Sequence, residues 1–377
     1  MKQILVIEAE PAARQFLQGV LTEEGYEVTL VDNGAAALET MQALHPAMVI
    51  CDWDLPGVTS GQTVCQEIKA HPILSTPFCL MLMVPGEAAE RVKALEMGAD
   101  DLLSKPIDLA ELKARVRAGV RMWQLTQDLH EQKQLLEAEL FEAETYVRSL
   151  LPRDLNDKVA IQSRFIPSRL LGGDCYDYYW LDPDYLALYL LDVSGHGLGS
   201  ALLSTSVLNL LRSQSLPDVN FYRPERVIKA LNETFQMTEQ NEKYFTIWYG
   251  VYNQANRQLL YTSAGHPPGI IVSRDAADRV TTTRLHASGM PVGMLPDVQY
   301  HWQRCHVPPN SRLYLFSDGI YEIMQDDQAI MGLDDFVDIL SAVEPHQTID
   351  DILNEVIVRN RHQPFSDDLS LLKIDLA

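Results

Sequence analysis

The first 118 residues alternate short apolar runs with amphipathic segments. The runs are ILVI (4–7), VTLV (28–31), MVIC (48–51), FCLMLM (78–83) and a weaker DLLS (101–104); the segments between them cover 11–24, 34–44, 61–70 and 87–97. Runs without a polar face, each followed by a helical pattern, predict parallel strands covered on both sides by helices. In such a sheet ligands bind beyond the carboxyl ends of the strands. Glu8 and Asp52 stand at such ends, after the first and third runs, and Lys105-Pro106 follows the fifth.

The pattern changes from 108 to 150, where Gly119 is the one glycine and there is no proline. Met122, Leu129, Leu136, Ala143 and Leu150 recur every seven residues, flanked by Leu125, Leu140 and Val147, while Gln132 and Glu139 interrupt the companion positions. This predicts one long helix with an imperfect coiled-coil seam, and hence a dimer or a helix packed on a neighbouring domain. The polar remaining faces favour the coiled coil. Leu151-Pro152 ends the pattern.

Residues 153–377 are rich in aromatic and β-branched runs: YLALYLLDV (185–193), YFTIWYGVY (244–252), QLLYTSA (258–264), RLYLFSD (312–318) and LSLLKI (369–374). Helical segments fall near 198–213, 224–239, 333–343 and 347–360. Strands in runs with clustered helices predict an α+β layered fold with antiparallel sheets.

Composition narrows the function. A chain of 377 residues predicts two or three domains, and 46% hydrophobic with 22% charged residues reads as globular. The formal net charge of -22 argues against nucleic acid and against anionic membrane as partners. Cys51, Cys65, Cys79, Cys175 and Cys305 include no C-x-x-C pair, so free thiols in a reducing cytoplasm are expected. The stretch 185–191 is too short to span a bilayer, and Met1 runs directly into a strand-like segment, so neither a membrane span nor a signal peptide is expected.

Acidic residues at strand ends carry the chemistry. Asp174 and Asp177 lie in GGDCYD, Asp192 ends YLALYLLD, Asp318 ends RLYLFSD, and Asp367 with Asp368 opens the last run. One such aspartate could simply cap a turn. Four such places beside strongly apolar runs, with no lysine or arginine within three residues of any of these aspartates, need another partner for their charge. Oxygen ligands of this kind favour Mg²⁺ or Mn²⁺ over zinc. Two such ions sharing a carboxylate can activate a water and clamp a phosphoryl group.

Taken in order, GGDCYD, LDVSGHG, AGHPP (264–268), GMPVG (289–293), LFSDG and SDDLSLL resemble the motifs of bacterial PPM-type serine/threonine phosphatases. The similarity is to the branch acting on stress and sporulation sigma-factor control. The resemblance covers roughly 150–377 and implies paired antiparallel sheets flanked by helices, with two Mn²⁺ or Mg²⁺ ions at one edge. By position it implies that Asp192 bridges the ions, that the Val193 carbonyl helps to hold one, that Asp174 acts near the second, and that Asp318 and Asp367 hold the first. Asp177 and Asp368 are weaker matches. It also implies in-line attack by an activated water without a phosphoenzyme. His196 is a candidate proton donor, against a local turn role; Arg169 is a candidate for the substrate phosphate, against a surface ion pair. His266 reads as structural, and Gly172-Gly173 as a turn bringing main chain to the site.

The first 120 residues resemble a response-regulator receiver domain through ILVIEAEPAAR, MVICDWDLPG and RVKALEMGADDLLSKP. That implies a flavodoxin-like sheet, Asp52 as phosphoacceptor, acids around Glu8 holding Mg²⁺, and Lys105 beside the phosphoryl group. Two positions depart from the pattern: Ala9 stands where a second acid is usual, and Leu82 or Met83 where a threonine or serine is usual. Three readings follow: a working receiver with Glu10 compensating, a poor phosphoacceptor, or a docking domain that takes no phosphate. Impaired or absent phosphorylation is favoured, and Mg²⁺ binding here is doubtful.

The organisation expected is a receiver (1–120), a helical coiled-coil linker (121–151) and a phosphatase (152–377) in a cytoplasmic signalling protein. The expected partners are a phosphorylated STAS-type anti-sigma-factor antagonist as substrate, a sensor histidine kinase upstream, and a second copy through the linker. The alternative is a non-catalytic adaptor or scaffold that binds an anti-sigma or sigma-factor partner.

Overall fold

The computed structural model describes residues 2–376 except 71–76, 85, 87, 169–170, 238–241, 276, 278, 325–329 and 345. The chain divides into two compact units, Met1–Glu137 and Ala138–Ala377.

In the first unit, strands β1 (Gln3–Ile7), β2 (Glu27–Val31), β3 (Met48–Asp52), β4 (Phe78–Met83) and β5 (Asp101–Ser104) form a parallel sheet in the order β2-β1-β3-β4-β5. They alternate with α1 (Pro11–Glu23), α2 (Gly34–Leu44), α3 (Gly61–Ala70), α4 (Ala88–Glu96) and α5 (Leu109–Leu150). The runs lack a polar face because both faces are covered. Ile4, Val6, Ile50 and Leu82 pack with Leu17 and Leu21 of α1 and Leu112 and Val116 of α5. Leu5, Ile7, Val49 and Met81 pack with residues of α2, α3 and α4. The doubly wound receiver architecture expected from the sequence is the one observed.

The α5 helix runs for 42 residues. Its first turns bury Leu112, Val116 and Val120, and Gly119 lets the helix come so close that an added Cβ would lie 2.6 Å from the Phe78 ring. Beyond them the heptad seam lies open: Met122, Leu125, Leu129 and Leu136 are 57%, 59%, 71% and 56% exposed.

The second unit is a sandwich of two antiparallel sheets. Its elements are β6 (Leu155–Asn156), β7 (Ala160–Ile166), β8 (Cys175–Trp180), β9 (Tyr185–Val193), α6 (Leu198–Arg212), α7 (Pro224–Thr234), β10 (Phe245–Asn253), β11 (Gln258–Ala264), β12 (Gly269–Arg274), β13 (Val280–Leu285), β14 (Gln303–His306), β15 (Ser311–Phe316), α8 (Leu333–Ala342), α9 (Ile349–Arg359) and β16 (Leu369–Leu376). One sheet has the order β14-β11-β10-β9-β8 and the other β13-β12-β15-β16-β7-β6.

Side chains alternate across each strand, and this fixes three apolar layers. Between the sheets lie Leu186, Leu188 and Leu190 of β9, Tyr176 and Tyr178 of β8, Trp248 of β10, Leu313 and Leu315 of β15, and Leu372 and Ile374 of β16. The opposite faces are covered by α6 and α7 on one sheet and by α8 and α9 on the other. The expected phosphatase-type layering is therefore present. The sequence pattern did not mark β7 or β13 as strands, because AIQSRFI is half polar and VTTTRL is an exposed edge. The predicted helix 224–239 stops at Thr234. Among the described residues no helix is long and apolar enough to cross a membrane.

Candidate active site

Following each inter-sheet row one step beyond its apolar residues leads to a polar group at one edge of the sandwich. The alternation that buries Tyr176 and Tyr178 carries Asp174 to this side. The rows of Leu190, Trp248, Leu315 and Leu372 continue as Asp192, Thr246, Ser317 and Ser370, with Asp368 one step further. Asp318 follows Ser317 and opens a 3-10 turn over Asp318–Ile320. The sandwich core thus ends in a cap of carboxylates and hydroxyls.

Among the described residues no lysine or arginine pairs with these acids. Asp174 is 2% exposed; its Oδ2 accepts from Ser317 Oγ at 2.6 Å, and its Oδ1 is buried with no partner. Burial, then the charges of Asp192 and Asp368, push its carboxyl far above the usual range. Asp192 is pushed up to about 7 by burial and by Asp318, Asp367 and Asp368. Asp318 is pushed up to about 6 by burial, Glu322 and Asp367. Against the ordinary 3.8, ionising Asp192 in the folded chain costs on the order of 4 kcal/mol more than in the unfolded chain.

The neighbouring main chain is drawn in. Asp368, 3% exposed, accepts from Ser168 N at 2.9 Å and from Gly173 N at 2.6 Å, and so closes the loop before β8. A Cβ on Gly173 would lie 2.7 Å from the Val193 carbonyl, and one on Gly172 would meet Asp368 Oδ2. The two glycines are therefore what allows this loop to sit against the Asp192-Val193 strand end. Asp367 is exposed, and its Oδ1 accepts from Asp368 N.

Not every acid singled out from the sequence joins this group. Asp177 has the opposite parity to Asp174 and faces α6, where its Oδ2 accepts from Arg212 Nε at 2.7 Å. It is a structural ion pair, and its cation lies 35 positions away in the chain. His196 is exposed on the loop after β9, and Arg169 lies outside the described residues. His266 is buried, and its Nδ1 is hydrogen-bonded to Thr246 Oγ1 at 2.8 Å. Sequence reasoning passed over Ser317, Thr246, Ser370 and Arg212; the parity of the strands is the signal that would have found the first three. It also passed over Lys243, whose Nζ donates to Ser194 O at 3.1 Å and Ser200 Oγ at 2.9 Å on the loop that follows Asp192.

The edge fits hard divalent cations: an orphaned buried carboxylate oxygen, mutually repelling aspartates, the nearby Val193 carbonyl, and only oxygen donors. As the side chains stand, no three acid, histidine or cysteine groups among the described residues form a closed cage. Mg²⁺ needs only one or two carboxylates and keeps several waters.

In the first unit a second acidic cluster contrasts with this one. Lys105 Nζ lies 2.9 Å from Glu8 Oε2 and 2.8 Å from Asp52 Oδ2. Burial acts to lower the Lys105 pKa, but the hydrogen bonds to Asp52 and Glu8 prevail and raise it. Asp52 is nevertheless pushed up, by burial first and with Glu8 adding to it, because two buried carboxylates share one ammonium. The other oxygen of Glu8 accepts from Glu10 N at 3.0 Å, while the Glu10 side chain is exposed. Ala9 brings no oxygen to the pocket beyond its carbonyl, which accepts from Arg14. At the end of β4, Leu82 and Met83 are 0% and 5% exposed, and both are apolar.

Comparison with known proteins agrees with both halves. The family model of stage II sporulation protein E matches residues 182–377, and that of the response regulator receiver domain matches 4–117. The chain is 30% identical over 236 residues to phosphoserine phosphatase RsbP of Bacillus subtilis, covering 60% of this chain and 55% of that protein. Its first part is 39% identical over 121 residues to the phosphate regulon transcriptional regulatory protein PhoB of Rhizobium meliloti, covering 32% of this chain and 53% of that one. The chain thus spans about half the length of these curated relatives. Among solved structures, the SiaA-PP2C domain of Pseudomonas aeruginosa aligns with a TM-score of 0.56 at 17% identity, covering 65% of this chain and 98% of that one. This is a likeness of fold.

The raised carboxyl groups make a pH prediction. A group whose folded pKa is raised withdraws stability as pH climbs from its unfolded value through the folded one. With chelator present, the second unit is therefore expected to be more stable at pH 6 than at pH 8. Denaturant melts at the two pH values check this; equal midpoints, or a higher one at pH 8, would contradict the half-buried, mutually repelling state of Asp192 and Asp318.

Proposed function

This chain belongs to the stage II sporulation protein E family through its second half, and on that footing we propose that it is a metal-dependent protein serine/threonine phosphatase. The observation that carries the proposal is Asp174: a fully buried carboxylate with one orphaned oxygen, beside Asp192 and Asp368, and with no basic side chain among the described residues pairing it. Asp174, Asp192, Asp318, Asp367 and the Val193 carbonyl are the groups that would hold Mn²⁺ or Mg²⁺. When bound, such ions supply an acidic water and offset phosphoryl charge.

The chain's own residues do the rest. Ser317 fixes the orientation of Asp174, and Asp368 fixes the loop bearing Gly172 and Gly173. The apolar rows behind the cap exclude water from one side, so charges at the edge act at low dielectric. The relative named a phosphoserine phosphatase supports phosphoserine as the substrate residue. The finer reading is that the phosphoprotein is an anti-sigma-factor antagonist of the STAS type and that the receiver and the long helix govern the reaction. We assign pairing with a second copy to the open seam of α5, where Met122, Leu129 and Leu136 recur at seven-residue spacing on an exposed face. A sensor kinase upstream fits the receiver only if Asp52 accepts phosphate, and two features oppose that: Ala9 and the apolar end of β4 at Leu82 and Met83.

Three experiments test this. Asp192→Ala and Asp318→Ala should each lower Mn²⁺-dependent phosphopeptide hydrolysis on the order of 10³-fold with circular dichroism unchanged; full activity in Asp192→Ala would overturn the mechanism, and an absence of bound Mn²⁺ in the wild type would favour the adaptor reading. Acetyl phosphate should give no stoichiometric mass increase, whereas an increase that Asp52→Asn removes would restore the receiver as a working one. Leu129→Glu combined with Leu136→Glu should convert a dimer to a monomer in sedimentation; a wild-type monomer would refute pairing through α5.

A further inference from the structure

The loop from β11 to β12 is one of the places where the chain passes from one sheet of the sandwich to the other. It carries His266, and it crosses at the acidic edge rather than at the far end. Gly265 forms a bridge with Ile247 of β10, and Ser263 Oγ donates to the His266 carbonyl at 3.0 Å, so the loop is tied down around the imidazole.

The ring touches both sheets. On one side its Nδ1 is bonded to Thr246 Oγ1 at 2.8 Å. Thr246 stands directly opposite Asp192 in the β9–β10 pairing, and residues so paired project on the same face with Cβ atoms about 5 Å apart. On the other side the ring faces the main chain of Phe316, two residues before Asp318. Its Nε2 is buried and makes no hydrogen bond of ordinary geometry. A ring in place only to stabilise the fold would have no reason to keep a buried polar atom this poorly satisfied, since an apolar side chain of similar shape avoids that cost. The ring is also 7% exposed, and burial holds it down to about 3, so it stays neutral at physiological pH and adds no charge to the edge.

We propose that His266 is a positioning residue, a strut between Thr246 and the end of β15 that sets the gap between Asp192 of one sheet and Asp318 of the other, two of the groups that would hold divalent cations. The strut rests on the metal-site reading above. It touches neither substrate nor cation; it acts through the two strand ends. Residues behind metal ligands change metal affinity by about 10- to 100-fold when they are removed.

The experiment measures Mn²⁺ binding to the full chain by calorimetry, together with the melting temperature in chelator. His266→Phe keeps the bulk and removes the bond to Thr246 together with the polar Nε2 facing Phe316; Thr246→Val removes the bond alone with no change of shape. Each should weaken Mn²⁺ binding about tenfold while the metal-free melting temperature stays level or rises. The double variant should be no weaker than His266→Phe alone, because both act through one contact, and Thr246→Ser should restore wild-type affinity. Unchanged Mn²⁺ affinity in both single variants, or a fall in metal-free melting temperature with affinity intact, would overturn the strut while leaving the metal site standing. A wild-type chain that binds no Mn²⁺ would overturn both.

Discussion

Carboxylates gathered at one dry edge repel each other, and in the second unit no basic side chain among the described residues pairs with them. The rest of that unit can be understood as what is needed to keep them there. Two sheets packed face to face supply enough apolar contact to hold Asp174 and Asp368 almost out of water. The hydroxyl of Ser317 and the amide of Gly173 satisfy part of their hydrogen-bonding capacity. Each satisfies an oxygen without cancelling a charge, so the demand for an external cation survives folding.

The first unit meets the same problem by another route. Its strand-end acids, Glu8 and Asp52, receive Lys105 from the end of β5. Parallel strands make this simple, since every carboxyl end lies on the same side of the sheet. In an antiparallel sandwich successive strands run in opposite directions, so acids can reach one edge either from strand ends, as with Asp192, or from strand starts, as with Asp174 and Asp368. That is why the sequence shows aspartates on both sides of its apolar runs.

Much of this was legible from the chain alone, for physical reasons. The runs ILVI and MVIC are apolar on both faces, which only a covered parallel sheet tolerates, and β1 and β3 appear almost where the runs do. The acid positions stood out because aspartate is costly beside such strands. Asp177 was misread because spacing within GGDCYD does not reveal parity until the strand is known to begin at Cys175, and Arg212, which pairs with it, lies on a helix 35 residues on. Thr246 and Ser317 were missed for a different reason. Hydroxyls are common in strands, and only the continuation of the inter-sheet rows marks these two as part of the cap. The half-polar edge strand β13 left no periodic signal, since neither of its faces has to be buried along most of its length.

Lys105 also has a consequence for how the two halves meet their surroundings. Lys105 offsets part of the charge of Glu8 and Asp52 from within the chain, one ammonium to two carboxylates, whereas at the edge around Asp174 no described side chain offsets the charge. The charge of that edge therefore depends more on dissolved cations than the charge around Lys105 does.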